Sequence, residues 1–202
     1  VKGLDVAAYN CKFIPGQALS FGVAPIGAHH REAWIITFEL KNSSRDSYGP
    51  EKAAKVIELQ RIRGGMFEFM VACRFPWIEL GWQLDNYPKY FNLVTGLNWT
   101  LDDMWKVADR IYALIKLHYI REFPDATRKG DYPPAVWFDP DNSDAEGPIA
   151  GKHLEADKYD RLLQHYYDQR GYDKRGIPTR ATLEKLSLTR EGADAEKYAK
   201  LA

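Results

Sequence analysis

The clearest regularity in the chain runs from Leu101 to Glu122. There Leu101, Met104, Trp105, Ala108, Ile111, Tyr112, Ile115 and Tyr119 recur at three- and four-residue spacing. That period gathers them on one face and predicts a core-facing helix. Thr100 is its N-cap, and Asp103 three residues on makes an acidic variant of the capping box. Pro124 ends it. A second helical stretch opens at Pro50, continues through Glu51-Lys52-Ala53-Ala54 and reaches about Ala72. Gly64-Gly65 inside it costs ~1 kcal/mol per glycine relative to alanine, which predicts a break or kink there. Pro76 stops the stretch. Shorter helices are expected from Asp85 to Gly96, around Tyr159, Leu162, Leu163 and Tyr166 with closure near Gly171, and from the cap Thr179 through Leu186.

The first fifty residues read as irregular. Ala18 to Ala24 has room for one or two helical turns. Trp34-Ile35-Ile36-Thr37-Phe38 has strand propensity, with helix as the alternative. Asn42-Ser43-Ser44 through Gly49-Pro50 reads as a turn. Residues 124–152 carry Pro124, Pro133, Pro134, Pro140 and Pro148 and should form an ordered, irregular wrap. The Ala- and Lys-rich last ten residues are expected to fray. The fold class is therefore mainly α, a multihelical domain with long irregular, Pro-rich connections, and residues 1–202 are read as one such domain.

Composition narrows the classes. The 202 residues are 45% hydrophobic and 13% aromatic, enough to bury a core and too apolar for disorder. Charge is balanced, 28 basic against 28 acidic, so neither nucleic acid nor an anionic membrane is an expected partner. No apolar run approaches the ~20 residues that cross a bilayer. Two cysteines, Cys11 and Cys73, are too few for a disulfide framework and point to a reducing, cytoplasmic setting. No signal peptide is visible, and a start at Val1 rather than methionine suggests a processed product or the C-terminal portion of something longer.

Three places hold candidate chemistry. Cys73 closes the apolar run from Gly64, with Glu68 five residues earlier; it reads either as one thiolate ligand of a metal cluster or as an ordinary buried cysteine. Cys11 reads as structural. His29-His30, in a Gly-flanked turn, could ligate a metal or move a proton, and otherwise are polar loop residues. Tyr166-Tyr167-Asp168-Gln169-Arg170-Gly171-Tyr172-Asp173, followed by Gly176-Ile177-Pro178-Thr179, reads first as a helix end, a turn and a new cap. No HExxH, P-loop, GxGxxG or GxSxG is present.

Taken together and in order, these segments resemble the C-terminal part of the tungsten-dependent aldehyde:ferredoxin oxidoreductase family, from Val1 to about Leu188. Val1-Lys2-Gly3-Leu4 with Ala8-Tyr9 resembles its VKGxExPAYDPR opening, and Gly27-Ala28-His29-His30 its RGxCH turn. Glu68 to Cys73 resembles DxxGxC. Ala108 to Tyr112 with Arg121-Glu122 resembles AxRIxxL…REG, and Tyr166 to Thr179 resembles YYxxRGWDxxGxPT. The resemblance implies a tungsten (or molybdenum) bis-pyranopterin and a [4Fe–4S] cluster, both completed by residues outside this chain. Under it, Cys73 is the fourth cluster ligand, Glu68 contacts a pterin with Ala72 and Arg74 nearby, and His30 carries a proton close to the metal. It implies oxidation of aldehydes to carboxylic acids, with a ferredoxin-like electron carrier as one partner and N-terminal domains, or a separate subunit, as the other.

The chain departs from the family pattern at Glu68 for aspartate, at Val71 for glycine, at Asn10-Cys11-Lys12 for Asp-Pro-Arg, and at His29 for cysteine. Two alternatives therefore stand beside the first: a domain of a related tungsten enzyme reducing aromatic acyl-CoA rings, and a non-catalytic helical interaction module that retains the fold. A mononuclear metal site at His29-His30 is a third.

Overall fold

The computed structural model describes residues 1–41, 45–125, 128–144, 146–147 and 149–202. The expected turn at Asn42-Ser43-Ser44 and Pro148 of the wrap lie outside the described residues. The helices are α1 (Pro15–Val23), α2 (Ile36–Lys41), α3 (Pro50–Gln60), α4 (Phe67–Phe69), α5 (Phe75–Glu79), α6 (Asn86–Thr95), α7 (Leu101–Glu122), α8 (Ala156–Arg170), α9 (Arg180–Lys185) and α10 (Thr189–Ala195). Among the described residues no strand occurs, and one isolated bridge joins Tyr172 to Pro178. The fold is mainly α.

The run ending at Phe38 takes the helical alternative from Ile36, where α2 begins. The reason is tertiary. Glu39 sits fully buried, and its carboxylate accepts the Gly16 and Gln17 amide N–H groups, each at 2.8 Å, at the open end of α1. Lys52 Nζ, equally buried, completes the carboxylate at 2.9 Å. A helical α2 delivers that carboxylate to orphan N–H donors that no side chain of α1 caps. All nine residues of α1 are buried, so this part of the first fifty residues is core rather than irregular cover.

α7 is the central rod. The Thr100–Asp103 capping box is present in both directions. Its buried positions begin as Met104, Ala108 and Tyr112 and pass to Ala113, Leu117 and Ile120. The helix thus serves two apolar clusters. The first half faces Ile62, Met66, Phe67 and Tyr87; the second faces Ile177, Leu183, Leu188 and Leu201. Leu201 is 2% exposed and the Ala202 carbonyl accepts from the Arg180 N–H at 3.0 Å, so the expected fraying end packs down instead.

The kink expected at Gly64-Gly65 is a π-helical segment, Arg61–Met66, running continuously between α3 and α4. The wider turn lets the glycines lie directly on α7. A Cβ on Gly64 would fall 2.0 Å from Tyr112 Oη, and one on Gly65 would fall 2.3 Å from Ala108 Cβ and 2.9 Å from its Cα. The contact is clamped by charge. Arg61 holds Asp109 of α7 through two bonds of 2.9 and 2.8 Å, and Arg170 of α8 reaches the same carboxylate at 2.7 Å. Pro76 does not end this helix. The helix closes at Phe69, and Pro76 stands in the first turn of α5.

The Pro-rich wrap is irregular, with 3₁₀ turns at Arg128–Asp131, Ala135–Trp137 and Pro140–Asn142. Asp131 anchors it from within. The buried carboxylate meets Lys2 Nζ at 3.0 Å, Lys116 Nζ at 2.6 Å and Tyr167 Oη at 2.8 Å, which joins the N-terminus, α7 and α8. Burial alone would raise its pKa; the two ammonium groups hold it below the usual carboxylate value. The segment at Gly171 is structural, as its first reading had it. Gly171 adopts φ 70°, and the Tyr172 N–H bonds the Tyr167 carbonyl at 2.8 Å in a helix-ending turn. Thr179 then caps α9.

Gly65→Ala brings a methyl onto the backbone of α7, which cannot swing aside. Its expected cost is about 2 kcal/mol of unfolding free energy in urea titration, since overpacking of this kind costs ~1–3 kcal/mol and exceeds the ~1 kcal/mol gain in helix propensity. Gly64→Ala meets the Tyr112 hydroxyl, a side-chain end rather than backbone, and costs less. A Gly65→Ala protein as stable as the parent contradicts this packing.

Candidate functional site

The helix α4 ends in a turn that decides where the candidate residues go. The Ala72 N–H bonds the Phe67 carbonyl at 2.9 Å and the Val71 N–H bonds the Glu68 carbonyl at 3.1 Å. This pair of bonds is the Schellman closure seen again at Gly171, and it requires a left-handed residue between. Val71 is that residue, with φ 52° and 92% exposure. A β-branched side chain in this region is strained by roughly 1–2 kcal/mol. The turn reverses the chain so that Ala72, Cys73 and Arg74 come back past Glu68.

They return to an open basin of ≈ 660 Å³ whose lining includes His29, His30, Arg31, Glu68, Cys73 and Arg74. The candidates His30, Glu68, Ala72, Cys73 and Arg74 thus share one basin, and the Tyr166–Thr179 segment is not part of it. Cys73 is an exposed free thiol, whereas Cys11 is sealed in the core with its pKa pushed up by burial. Among the described residues no group of three or more His, Cys, Asp or Glu side chains is placed to hold a metal ion. Cys73 stands in the basin as a lone thiol.

The histidines are ordered. Their rings stack at 4.9 Å and 11°, and Tyr9 meets His30 edge-on at 5.4 Å. His29 Nδ1 accepts the Arg31 N–H at 2.9 Å, which leaves the proton of its neutral form on Nε2. His30 Nδ1 is buried without a partner. Burial, then His29, Arg63 and Arg74, lower the His30 pKa, so its ring is neutral near pH 7.

Two residues that the sequence did not suggest organise the basin. The Arg31 carbonyl accepts from Arg63 Nε at 2.9 Å and from Arg74 Nη1 at 2.7 Å. The Arg31 guanidinium forms an ion pair with Glu68 Oε2, and both side chains are about two-fifths exposed. Arg31 follows the histidines and Arg63 precedes the glycine pair. Neither belongs to a motif, and only the π segment with the Val71 turn makes them neighbours.

Behind the basin, Glu32 is 8% exposed, and the buried Tyr112 hydroxyl is the polar group beside it at Gly64. Burial first, and Glu68 as well, push the Glu32 pKa up to about 7, against the opposing charge of Arg31.

Comparison with known proteins adds the following. The family described as aldehyde ferredoxin oxidoreductase, domains 2 & 3, matches residues 1–188. The tungsten-containing aldehyde ferredoxin oxidoreductase of Pyrococcus furiosus is 24% identical over 193 residues, 93% of this chain and 30% of that protein. An aliphatic sulfonate oxidoreductase, WOR-like subunit, of the same organism is 30% identical over 105 residues, 50% of this chain and 16% of its own. The active site complex BamBC of benzoyl coenzyme A reductase, solved with 1,5-dienoyl-CoA, superposes with a TM-score of 0.54 at 20% identity, covering 72% of this chain and 21% of that one. The chain spans 30% of the length of the tungsten-containing relative. No helix among the described residues is long and apolar enough to cross a membrane.

Val71→Gly relieves the strained turn without touching its hydrogen bonds. It should raise the unfolding free energy by about 1 kcal/mol, the left-handed penalty less the entropy cost of glycine. An unchanged or lowered midpoint in urea counts against the strain.

Glu32 gives a pH signature. A carboxyl raised from 4.5 to about 7 on folding lends stability that is complete below pH 4.5 and lost as pH rises through 7. Glu32→Gln should therefore flatten the fall in melting temperature between pH 5 and 8. Above pH 7 the variant should be the more stable protein, by up to ~3 kcal/mol. Parallel pH profiles for the two proteins exclude the raised pKa.

Proposed function

The chain belongs to the aldehyde ferredoxin oxidoreductase family, and from that premise we propose that it is the C-terminal part of a tungstopterin and iron–sulfur oxidoreductase acting on aldehydes. The observation that carries this reading is the exposed Cys73 thiol, turned by the Val71 closure into the same basin as Glu68, Arg74 and His30. The residues fit such a group. A lone thiol with no second cysteine beside it suits a cluster whose other three thiolates come from elsewhere. Glu68 Oε1 is free to accept from a pterin's amino edge. Ala72 adds little bulk. When bound, the pterin-held metal supplies the two-electron chemistry and the cluster an exit for single electrons toward a ferredoxin-like carrier.

The chain's own residues then divide the remaining work. Cys73 would hold iron, Arg31 would orient the Glu68 carboxylate, and His30, kept neutral by its surroundings, would accept a proton. The site lacks most of its ligands within this chain, so N-terminal domains or a separate subunit would complete it. Two free cysteines accord with the reducing cytoplasm.

Co-expression with the N-terminal portion of a family member is the test. The expected product is a complex carrying about four iron and four sulfide, as one [4Fe–4S] cluster requires. Cys73→Ser should cut iron retention several-fold while leaving the melting temperature of the chain alone unchanged, because the thiol is exposed. Association that ignores both cofactor and Cys73 would instead favour a helical module that keeps only the fold.

A further inference from the structure

Three guanidinium groups face the basin, and one carboxylate answers them. Glu68 is taken by Arg31. Arg63 and Arg74 have no carboxylate partner among the described residues; their hydrogen-bond acceptor is the single Arg31 carbonyl, which both share. Their donor nitrogens therefore lie within 3 Å of one oxygen, and both side chains are half-buried. In the interior networks every cation meets a carboxylate: Lys2 and Lys116 share Asp131, Arg61 and Arg170 share Asp109, and Lys52 meets Glu39. Two unneutralised like charges held together and partly out of water are unfavourable. Each repels the other, and burial with the Arg74 charge lowers the Arg63 pKa to about 10.

We infer that the Arg63–Arg74 pair is a binding site for an oxyanion, a phosphate, sulfonate or carboxylate that enters the basin between His30 and Cys73. The guanidinium fork is suited to such a group. One nitrogen of each arginine is committed to the Arg31 carbonyl, and the remaining N–H donors are free for paired bonds to oxygen. The shared carbonyl fixes the spacing of the two forks before the ligand arrives, so little ordering accompanies binding. The one carboxylate lining the basin, Glu68, is engaged by the Arg31 guanidinium. The inference rests on the tungstopterin reading only for what the oxyanion is attached to, a phosphate-bearing cofactor or an anionic substrate. Binding to the full chain succeeds or fails whether or not Cys73 meets iron.

The experiment titrates the full chain with inorganic phosphate and, separately, with methanesulfonate, at an ionic strength held constant with chloride. Calorimetry and melting temperature are the readouts. Saturable binding that raises the melting temperature is expected. Arg63→Gln and Arg74→Gln should each weaken it roughly tenfold or more, the loss of a charge-assisted bond, while Lys106→Gln on the exposed side of α7 leaves it unchanged. In anion-free buffer both glutamine variants should melt above the parent, because the repulsion is gone. Should either fail to fold, Arg74→Lys keeps the charge and loses the fork, and weaker binding by it supports the site equally. A clear preference for phosphate assigns the oxyanion to the cofactor; equal or stronger binding of methanesulfonate assigns it to the substrate. An absence of saturable binding by either anion, or binding that survives the double glutamine variant, overturns the proposal.

Discussion

The basin depends on a contact in which one partner contributes no side chain. Gly64 and Gly65 let the rod from Pro50 to Phe69 lie against Ala108 and Tyr112 of α7 at a separation that no Cβ would permit. The π segment is the backbone form of that approach, and one extra residue in the turn rotates everything beyond it. Arg63 is carried to the Arg31 carbonyl and Glu68 to the Arg31 guanidinium. Asp109, clamped by Arg61 and Arg170, keeps the two helices from sliding. The Val71 turn acts on this fixed base and brings Cys73 and Arg74 back to the same place.

Charge is handled in two ways within the fold. In two interior networks a carboxylate meets cationic partners and its oxygens are filled. The Glu39 carboxylate takes two amide N–H groups and an ammonium, and the Asp131 carboxylate takes two ammonium groups and a phenol. Removing one member of such a set leaves an uncompensated charge, so these networks are worth most as fixers of geometry. The basin is the opposite case, with cationic groups in excess and a carbonyl where a carboxylate would settle them. The Arg31–Glu68 pair is too exposed to matter much to stability; its effect is to aim the carboxylate.

Much of this was legible in the residues, and the parts that were not share a cause. α7 with its cap, α6, α8 and the turn at Gly171 follow local rules, and local rules found them. The glycine pair announced a disturbance, though not its π form, because that depends on what Ala108 and Tyr112 present from across the contact. Trp34 to Phe38, β-branched and aromatic, leans locally toward a strand with helix as the alternative; the helix is favoured by the need of α1 for the Glu39 carboxylate. Pro76 was read as a stop when it is a start, since proline is equally at home in a first turn. Glu68, Cys73 and His30 were found through their motif neighbours, and their meeting in one basin is a tertiary fact. Arg31 and Arg63 belong to no motif, and only folding gives them a shared acceptor.

The departure at Val71 also acquires a physical meaning. The motif's glycine sits where the Schellman closure needs a positive φ, so its first duty is to the backbone. Valine keeps the closure and accepts the strain, and both closing bonds are intact at 2.9 and 3.1 Å. The turn that directs Cys73 into the basin thus forms without glycine. What changes is the surface beside the thiol, where a 92% exposed isopropyl group now stands. The substitution therefore alters what approaches the turn more than where the turn points. Any effect of the substitution therefore falls on that surface, while Cys73, Glu68 and Arg74 still line one basin.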